Sequence, residues 1–465
     1  MAELKPVSDL ARLSSRVVRI LAQNPGPYTL NGTNTYLVSA PSSSSPSSSS
    51  LPTTAARRGI LIDTGEGVEG YIPLLERALR GGGGGDEGAD ASTMAAIGDE
   101  GVTTWVSDII LTHRHGDHTK GLPSVLSLLS RLRSESQAAS ATTAATSTPL
   151  APPRIHKLPD TESDPSLIES LHALPSGSFT SYSAFDGPSP LWPLKDGDII
   201  ACADGDEAGA TSLQVVHTPG HTADHICLLL REERNLFSGD HVLGSGTTVF
   251  EDLNAYLASL SRCIDLFAEI GPSSSVDGKD GRSDGSNDTG DDENVIYPAH
   301  GPVVAAGRAT LRTYLSHRLE RERQILSLLS TAPPPSAQTE AERGWTITSL
   351  VSTLYSAYPE HLFPAAARGL FLHLHALSVD NPQAGRRKRV RPRSLPEFAK
   401  GQPRAATEAE AGVVPIPKNE SQYAQVMDIV WDLIPDQGES GTEQQGAGGE
   451  EQQASKAAAA TGERL

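Results

Sequence analysis

The chain has 465 residues, room for two or three domains, yet only 37% of them are hydrophobic. Its 57 acidic and 38 basic side chains leave a formal net charge of −19, which weighs against broad, non-specific affinity for nucleic acid, since that needs a cationic surface. The three cysteines, Cys202, Cys227 and Cys263, lie far apart without CxxC spacing and exclude a disulfide scaffold or a thiolate zinc site.

At the N-terminus there is no signal-peptide core, and Glu3 and Asp9 beside Arg12, Arg16 and Arg19 spoil a transit peptide. No apolar run approaches the ~20 residues of a membrane span, so a cytoplasmic protein without membrane contact is expected, mitochondrial or nuclear destinations not being excluded. Short apolar runs then alternate with helix-like segments. A strand at 35–39 is followed by one at 59–65, a helix at 70–80, a strand at 106–113 and a helix at 121–133. Strands at 213–220, 226–230 and 235–240 precede a helix at 253–270 and a strand at 294–301. Ser/Gly/Ala/Asp tracts at about 39–56, 80–101, 134–153 and 273–294 interrupt this order, and a similar tail occupies 436–465. They offer too little apolar surface to offset the entropy of ordering, and are expected to be disordered insertions in surface loops. Strands and helices with polar residues gathered at strand ends describe an α/β layered fold over 1–307. Helices at 308–330, 346–359 and 364–379, a basic run RRKRVRPR at 386–393 and an apolar strand at 423–435 describe a winged-helix-like domain at 308–435. Its wing is swollen by an insertion at about 381–418.

The stretch LTHRHGDHTKG, residues 111–121, gathers His113, His115, Asp117 and His118 directly behind an apolar run. Zinc and its neighbours favour neutral imidazole and carboxylate ligands about 2 Å from the ion. His113 and His115, two apart, point to one side of an extended segment, while Asp117 and His118 fall in the turn beyond and can face a second ion. Two ions ~3.5–4 Å apart would then share one hydroxide. Further ligands stand at other strand ends, each beside glycine: His221 in HTPGHTADH, Asp240 in FSGDHVLG and His300 in YPAHG.

HxHxDH, then GHT, then GD, then a late AHG resembles the metallo-β-lactamase superfamily, whose fold is an αββα sandwich with the metals at one edge. The resemblance implies that His113, His115 and His221 hold a first metal, that Asp117, His118 and His300 hold a second, and that Asp240 bridges them. Two Zn2+ are the implied cofactors, with Mn or Fe as substitutes. Asp63 in LIDTG matches the superfamily's first motif, a carboxylate that orients ligands without binding metal. His217 and His225, which flank His221, are read in the same supporting role. RVVRILAQNPGPYTLNGTNTYLV (16–38), GSGTTVFEDLNAYLASL (244–260) and LSHRLERERQIL (315–326) resemble one branch with a C-terminal winged helix. That branch includes fungal atrochrysone-carboxyl-carrier thioesterases and an animal mitochondrial single-strand endoribonuclease. The resemblance covers all but the low-complexity insertions. Arg114, where the branch carries an aromatic, and Gly116, in place of a bulkier residue, depart from it without touching a ligand position.

The absence of a GxSxG elbow or a paired Cys and His fits a hydrolase that activates water on metal. A thiol of pKa about 8.5 leaves a thioester without a proton donor. A phosphodiester expels an alkoxide and benefits from a general acid, a role open to His241 beside Asp240. Asp117, Asp240 and His241 are thus the candidate catalytic residues. The acidic charge and the 5% aromatic content favour an acyl (polyketide-type) carrier thioester. Single-stranded RNA is the alternative, favoured by RRKRVRPR and the winged helix, with glutathione thioesters or lactones behind it. The turn Asn31–Asn34 reads as architecture or substrate contact, and His373 and His375 as structural.

Overall fold

The computed structural model describes residues 4–41, 56–82, 101–143, 150–184, 187–202, 211–270, 294–333, 344–381, 386–399 and 413–434. The described residues fall into two compact units, those up to Phe250 with those of Ser259–Arg312, and Glu251–Ala258 with those from Thr313 onward. Among the described residues no helix is long and apolar enough to cross a membrane.

Strand alternation builds the first unit. One sheet runs β1 (Leu10–Arg12), β2 (Val17–Leu21), β3 (Asn34–Ser39), β4 (Arg57–Ile62), β5 (Thr104–Leu111) and β6 (Arg154–Lys157). After a hairpin of β7 (Tyr182–Ala184) and β8 (Gly187–Ser189), β9 (Leu191–Pro193) pairs with β6 and closes that sheet. It is antiparallel through β4 and parallel from β4 to β9. The second sheet takes β10 (Ile199–Ala201), β11 (Ser212–His217), β12 (Ile226–Leu230), β13 (Asn235–Gly239) and β14 (Ile296–Pro298), with only β13–β14 parallel. Because successive side chains point to opposite faces, Tyr36, Val38, Ile60 and Ile62 meet Val215, Leu228, Phe237 and Tyr297 between the sheets. Leu37, Leu61, Ile109 and Leu111 turn outward onto helices α1 (Tyr71–Leu79) and α3 (Leu122–Thr143), the one-turn α2 (Gly116–Thr119) lying between these two in the chain. A helix α4 (Asp164–His172) follows β6. On the other face α5 (Leu253–Ile270) lays Cys263 against Cys227 of β12, and its Ser259 Oγ donates to Pro219 O at 2.8 Å. The result is the expected αββα sandwich.

The insertions are narrower than composition suggested. Helix α3 runs on to Thr143, its Glu135 paired with Arg80 and Arg131 at 2.9 and 2.7 Å. Ala151 and Pro152 accept hydrogen bonds from Trp105 Nε1 and Thr180 Oγ1, and Asn294 donates to Arg234 O. Most of the remaining tract residues, and the tail from 435, lie outside the described residues.

In the second unit, α6 (Gly307–Leu329) contributes from Thr313 onward. Helix α7 (Ile347–Leu354) starts at a capping box, Thr346 Oγ1 accepting from Ser349 N and Ser349 Oγ from Thr346 N. Helix α8 (Phe363–Leu377) buries Leu370, Phe371 and Leu374. The segment expected as one strand at 423–435 divides: Asn419 caps a helix α9 (Glu420–Val426), and only β16 (Trp431–Leu433) is extended. It pairs with β15 (Val390–Pro392), so the span taken as a wing insertion contains a wing strand. Two residues of the basic run are paired there: Arg386 with Glu322, and Arg393 Nη2 with Asp432 at 2.8 Å. His373 is buried beside Glu322, and His375 stacks 6.1 Å from Phe371, both as structural residues.

Candidate metal centre

Five chain segments bring their side chains to one edge of the sandwich. Thr112 and His113 follow β5, Asp117 and His118 sit in α2, His221 lies in the β11–β12 loop, Asp240 follows β13 and His300 follows β14. His113 Nε2, His115 Nδ1 and His221 Nε2 are 3.0–3.3 Å from one another. Asp240 Oδ2 is 3.4 Å from His221 Nε2 and 3.9 Å from His113 Nε2. On the other side, Asp117 Oδ2 stands 3.2 Å from both His118 Nε2 and His300 Nε2. Asp240 Oδ1 is 3.5 and 3.1 Å from the same two nitrogens. Asp240 therefore turns one carboxylate oxygen to each group.

This spacing fits cations. Ligand atoms about 2.05 Å from a tetrahedral ion lie roughly 3.3 Å apart, the separation found in both groups. His118 Nε2 and Asp240 Oδ1 are buried without a hydrogen-bond partner, a cost of about 1–3 kcal/mol each that a shared cation removes. Burial, with the His221 charge behind it, lowers His115 to about 4. Burial together with His118 and His221 lowers His113 well below the usual range, so both rings keep free lone pairs. His300 goes the other way: burial opposes protonation, but the Asp240 and Asp117 carboxylates raise it to about 9. A cation entering that group replaces a proton.

Supporting residues fix each ring. Asp63 accepts from Thr112 N, Thr112 Oγ1 and His118 Nδ1, all at 2.8 Å, which leaves His118 Nε2 as the ligand atom. Thr112 Oγ1 in turn accepts from His113 Nδ1 at 3.1 Å, and His221 Nδ1 donates to Val249 O at 2.7 Å. Asp240 N donates to His225 Nε2 at 3.0 Å, so that ring carries its proton on Nδ1, which donates to Thr218 Oγ1 at 2.8 Å. A Cβ on Gly239, whose φ is 50°, would stand 2.6 Å from the same His225 Nε2, and only glycine fits. His217 donates to Ala223 O and closes the loop bearing His221 without touching a ligand.

His241 belongs to neither group. Its ring is fully buried, and burial with the His221 charge lowers it to about 3. A general acid must reach the leaving group carrying a proton, and an enclosed neutral imidazole does neither, so the structure does not support that role.

Residues 346–381 match the family described as "Beta-lactamase associated winged helix domain", and residues 144–300 the "Metallo-beta-lactamase superfamily". "Beta-lactamase-like protein 2 homolog" of Caenorhabditis elegans is 31% identical over 354 residues, 75% of this chain and 84% of that one. The chain belongs to the metallo-β-lactamase superfamily. "Atrochrysone carboxyl ACP thioesterase" of Aspergillus chevalieri is 30% identical, covering 77% of this chain and 79% of its own. A metallo-beta-lactamase family protein of Thermus thermophilus with a solved structure is 21% identical, with a TM-score of 0.43 over 82% of this chain and 97% of that one. With the two His/Asp groups, membership makes this protein a metal-dependent hydrolase.

Asn24 escaped the sequence reading, and Thr33 and Asn34, read as part of a turn of architecture or substrate contact, support the ligands. Asn24 accepts from Thr33 N at 2.8 Å and donates to Thr33 Oγ1 at 3.0 Å, and Thr33 Oγ1 donates to Asp117 Oδ2 at 3.2 Å. Asn34 Nδ2 donates to Pro298 O and Gly301 O, both at 2.8 Å, bracketing His300. Two polar residues in a row before the apolar run of β3 were the available signal.

Proposed function

We propose that the protein hydrolyses the thioester of a carrier-bound acyl group, releasing an acid and the carrier thiol. The observation that carries this reading is a site shaped for two cations beside which His241 lies fully buried, outside both ligand groups and with its basicity lowered by burial. A thiolate departs unprotonated, whereas an alkoxide benefits from a donor. The 30% identity to an "Atrochrysone carboxyl ACP thioesterase" over 77% of the chain supports the same substrate class.

Two divalent ions bound at these groups would supply Lewis acidity and the means to activate water. His113, His115 and His221 would hold the first, Asp117, His118 and His300 the second, with Asp240 shared. The protein's own task is positional: Asp63 holds the His118 tautomer, Thr33 steadies Asp117, and His225 fixes the backbone at Asp240. The test is to load purified protein with Zn2+ or Mn2+ and offer an acyl-carrier thioester and single-stranded RNA, with Asp117→Ala as the control. Metal-dependent thiol release, lost in the control, is expected. RNA cleavage that vanishes in the control, without thiol release, overturns the proposal.

A further inference from the structure

We propose that a chain of charged side chains, Arg114–Asp160–Asp164–Lys157–Asp224, buried at Lys157 and Asp224 and half-buried at the other three, sets the first cation site by locking together the two loops that carry its histidines. The inference rests on the two-cation reading. Lys157 ends β6 with its side chain only 1% exposed. Its Nζ is 2.7 Å from Asp164 Oδ1, 2.8 Å from Asp224 Oδ2 and 3.1 Å from Leu158 O. Asp224 Oδ1 accepts from Thr222 Oγ1 at 2.8 Å, which holds the segment between His221 and His225. In the other direction Asp164 Oδ2 accepts from Asp160 N at 2.8 Å, and Asp160 Oδ2 pairs with Arg114 Nη1 at 3.1 Å. Arg114 is the residue between His113 and His115.

Every histidine of the first group therefore lies on a loop anchored to this chain. The second group has further supports of its own, Thr33 on Asp117 and Asn34 around His300, while Asp117 and His118 share the segment that carries Arg114. Stability alone does not account for the arrangement. An enclosed ammonium and its carboxylates bear a desolvation penalty that well-packed apolar residues avoid, and such replacements are often neutral or stabilising. Two cationic and three anionic side chains also leave one net negative charge behind a site that binds cations. Arg114, Asp160, Asp164, Lys157 and Asp224 are positioning residues: none of them belongs to either ligand group.

The test follows binding of each ion by Co2+ absorption and by zinc competition with a chelator. His221→Ala serves as the reference for loss of the first site, and His300→Ala for loss of the second. Asp224→Asn, Lys157→Met and Arg114→Gln are expected to weaken the first ion about 10- to 100-fold and leave the second unchanged. Thr33→Val should show the converse, and Lys157→Arg should recover part of the loss. Arg114, 18% exposed at its side chain, gives a variant expected to fold even where Lys157→Met does not. Parallel weakening of both ions, or unaltered binding in folded variants, overturns the proposal. Wild-type protein that binds no pair of ions overturns the two-cation reading itself, a result distinct from either.

Discussion

Asp63 occupies the left-handed region at φ 59° and turns both carboxylate oxygens onto Thr112 and His118. Asparagine tolerates that backbone, so Asp63→Asn isolates the chemistry: one oxygen becomes an NH2 facing the His118 Nδ1 proton. The ring must flip its tautomer or its orientation, and the second ion should bind roughly 10- to 100-fold more weakly, read by zinc competition. Asp63 was legible through the resemblance of LIDTG to the superfamily's first motif. Thr33 was not, since a threonine in a turn is common and only the fold brings its hydroxyl to Asp117, 84 positions away. His241 misled for the opposite reason. Adjacency to Asp240 in sequence suggested shared duty, but neighbours at a strand end point apart, and Asp240 faces the other ligands while His241 is fully buried.

Long alternating or continuous apolar runs announced β3, β4, β5, β11, β12 and β13. The three- and four-residue strands β6, β9 and β10 carry too few positions for a period to show, and their place is set by pairing with β5, β6 and β11 respectively. Helix α3 outran its composition because Arg131–Glu135 and Arg80–Glu135 pairs steady the first turn of its Ser/Ala-rich half. Between β5 and β6 lies a charged knot: Asp108 Oδ1 accepts from Arg154 Nε at 2.7 Å and His156 Nε2 at 2.8 Å. Burial would raise this carboxyl, but those partners and Ser107 hold it at about 2, against an ordinary 3.8. A depressed folded pKa stabilises above the unfolded value and is lost as pH falls from about 4 toward 2. At pH 7 Asp108→Asn should cost about 2 kcal/mol, and the gap to wild type in urea unfolding should narrow steadily below pH 4. A gap independent of pH would mean that the charge of Asp108 is not what stabilises the β5–β6 pair.

At the scale of the whole molecule, the basic run in the second unit bears on substrate class. Composition made RRKRVRPR look like a phosphate-binding surface, but Arg386 and Arg393 are tied to Glu322 and Asp432 and hold the β15–β16 wing to its surroundings. Substituting these two therefore confounds stability with binding, and Arg386→Gln or Arg393→Gln should lower the melting temperature. The informative variant neutralises the exposed Arg387 and Arg391 together and keeps the wing pairs. For a thioester substrate its turnover should equal wild type, with the same weak dependence on salt, because no phosphate backbone is being held. For RNA it should bind more weakly and with a shallower salt dependence, by roughly one unit of slope for each phosphate contact removed. Measuring KM for the carrier thioester and RNA binding at several salt concentrations separates the two. We expect the first pattern, and a lower salt slope on RNA joined to metal-dependent cleavage would assign the second unit to nucleic acid.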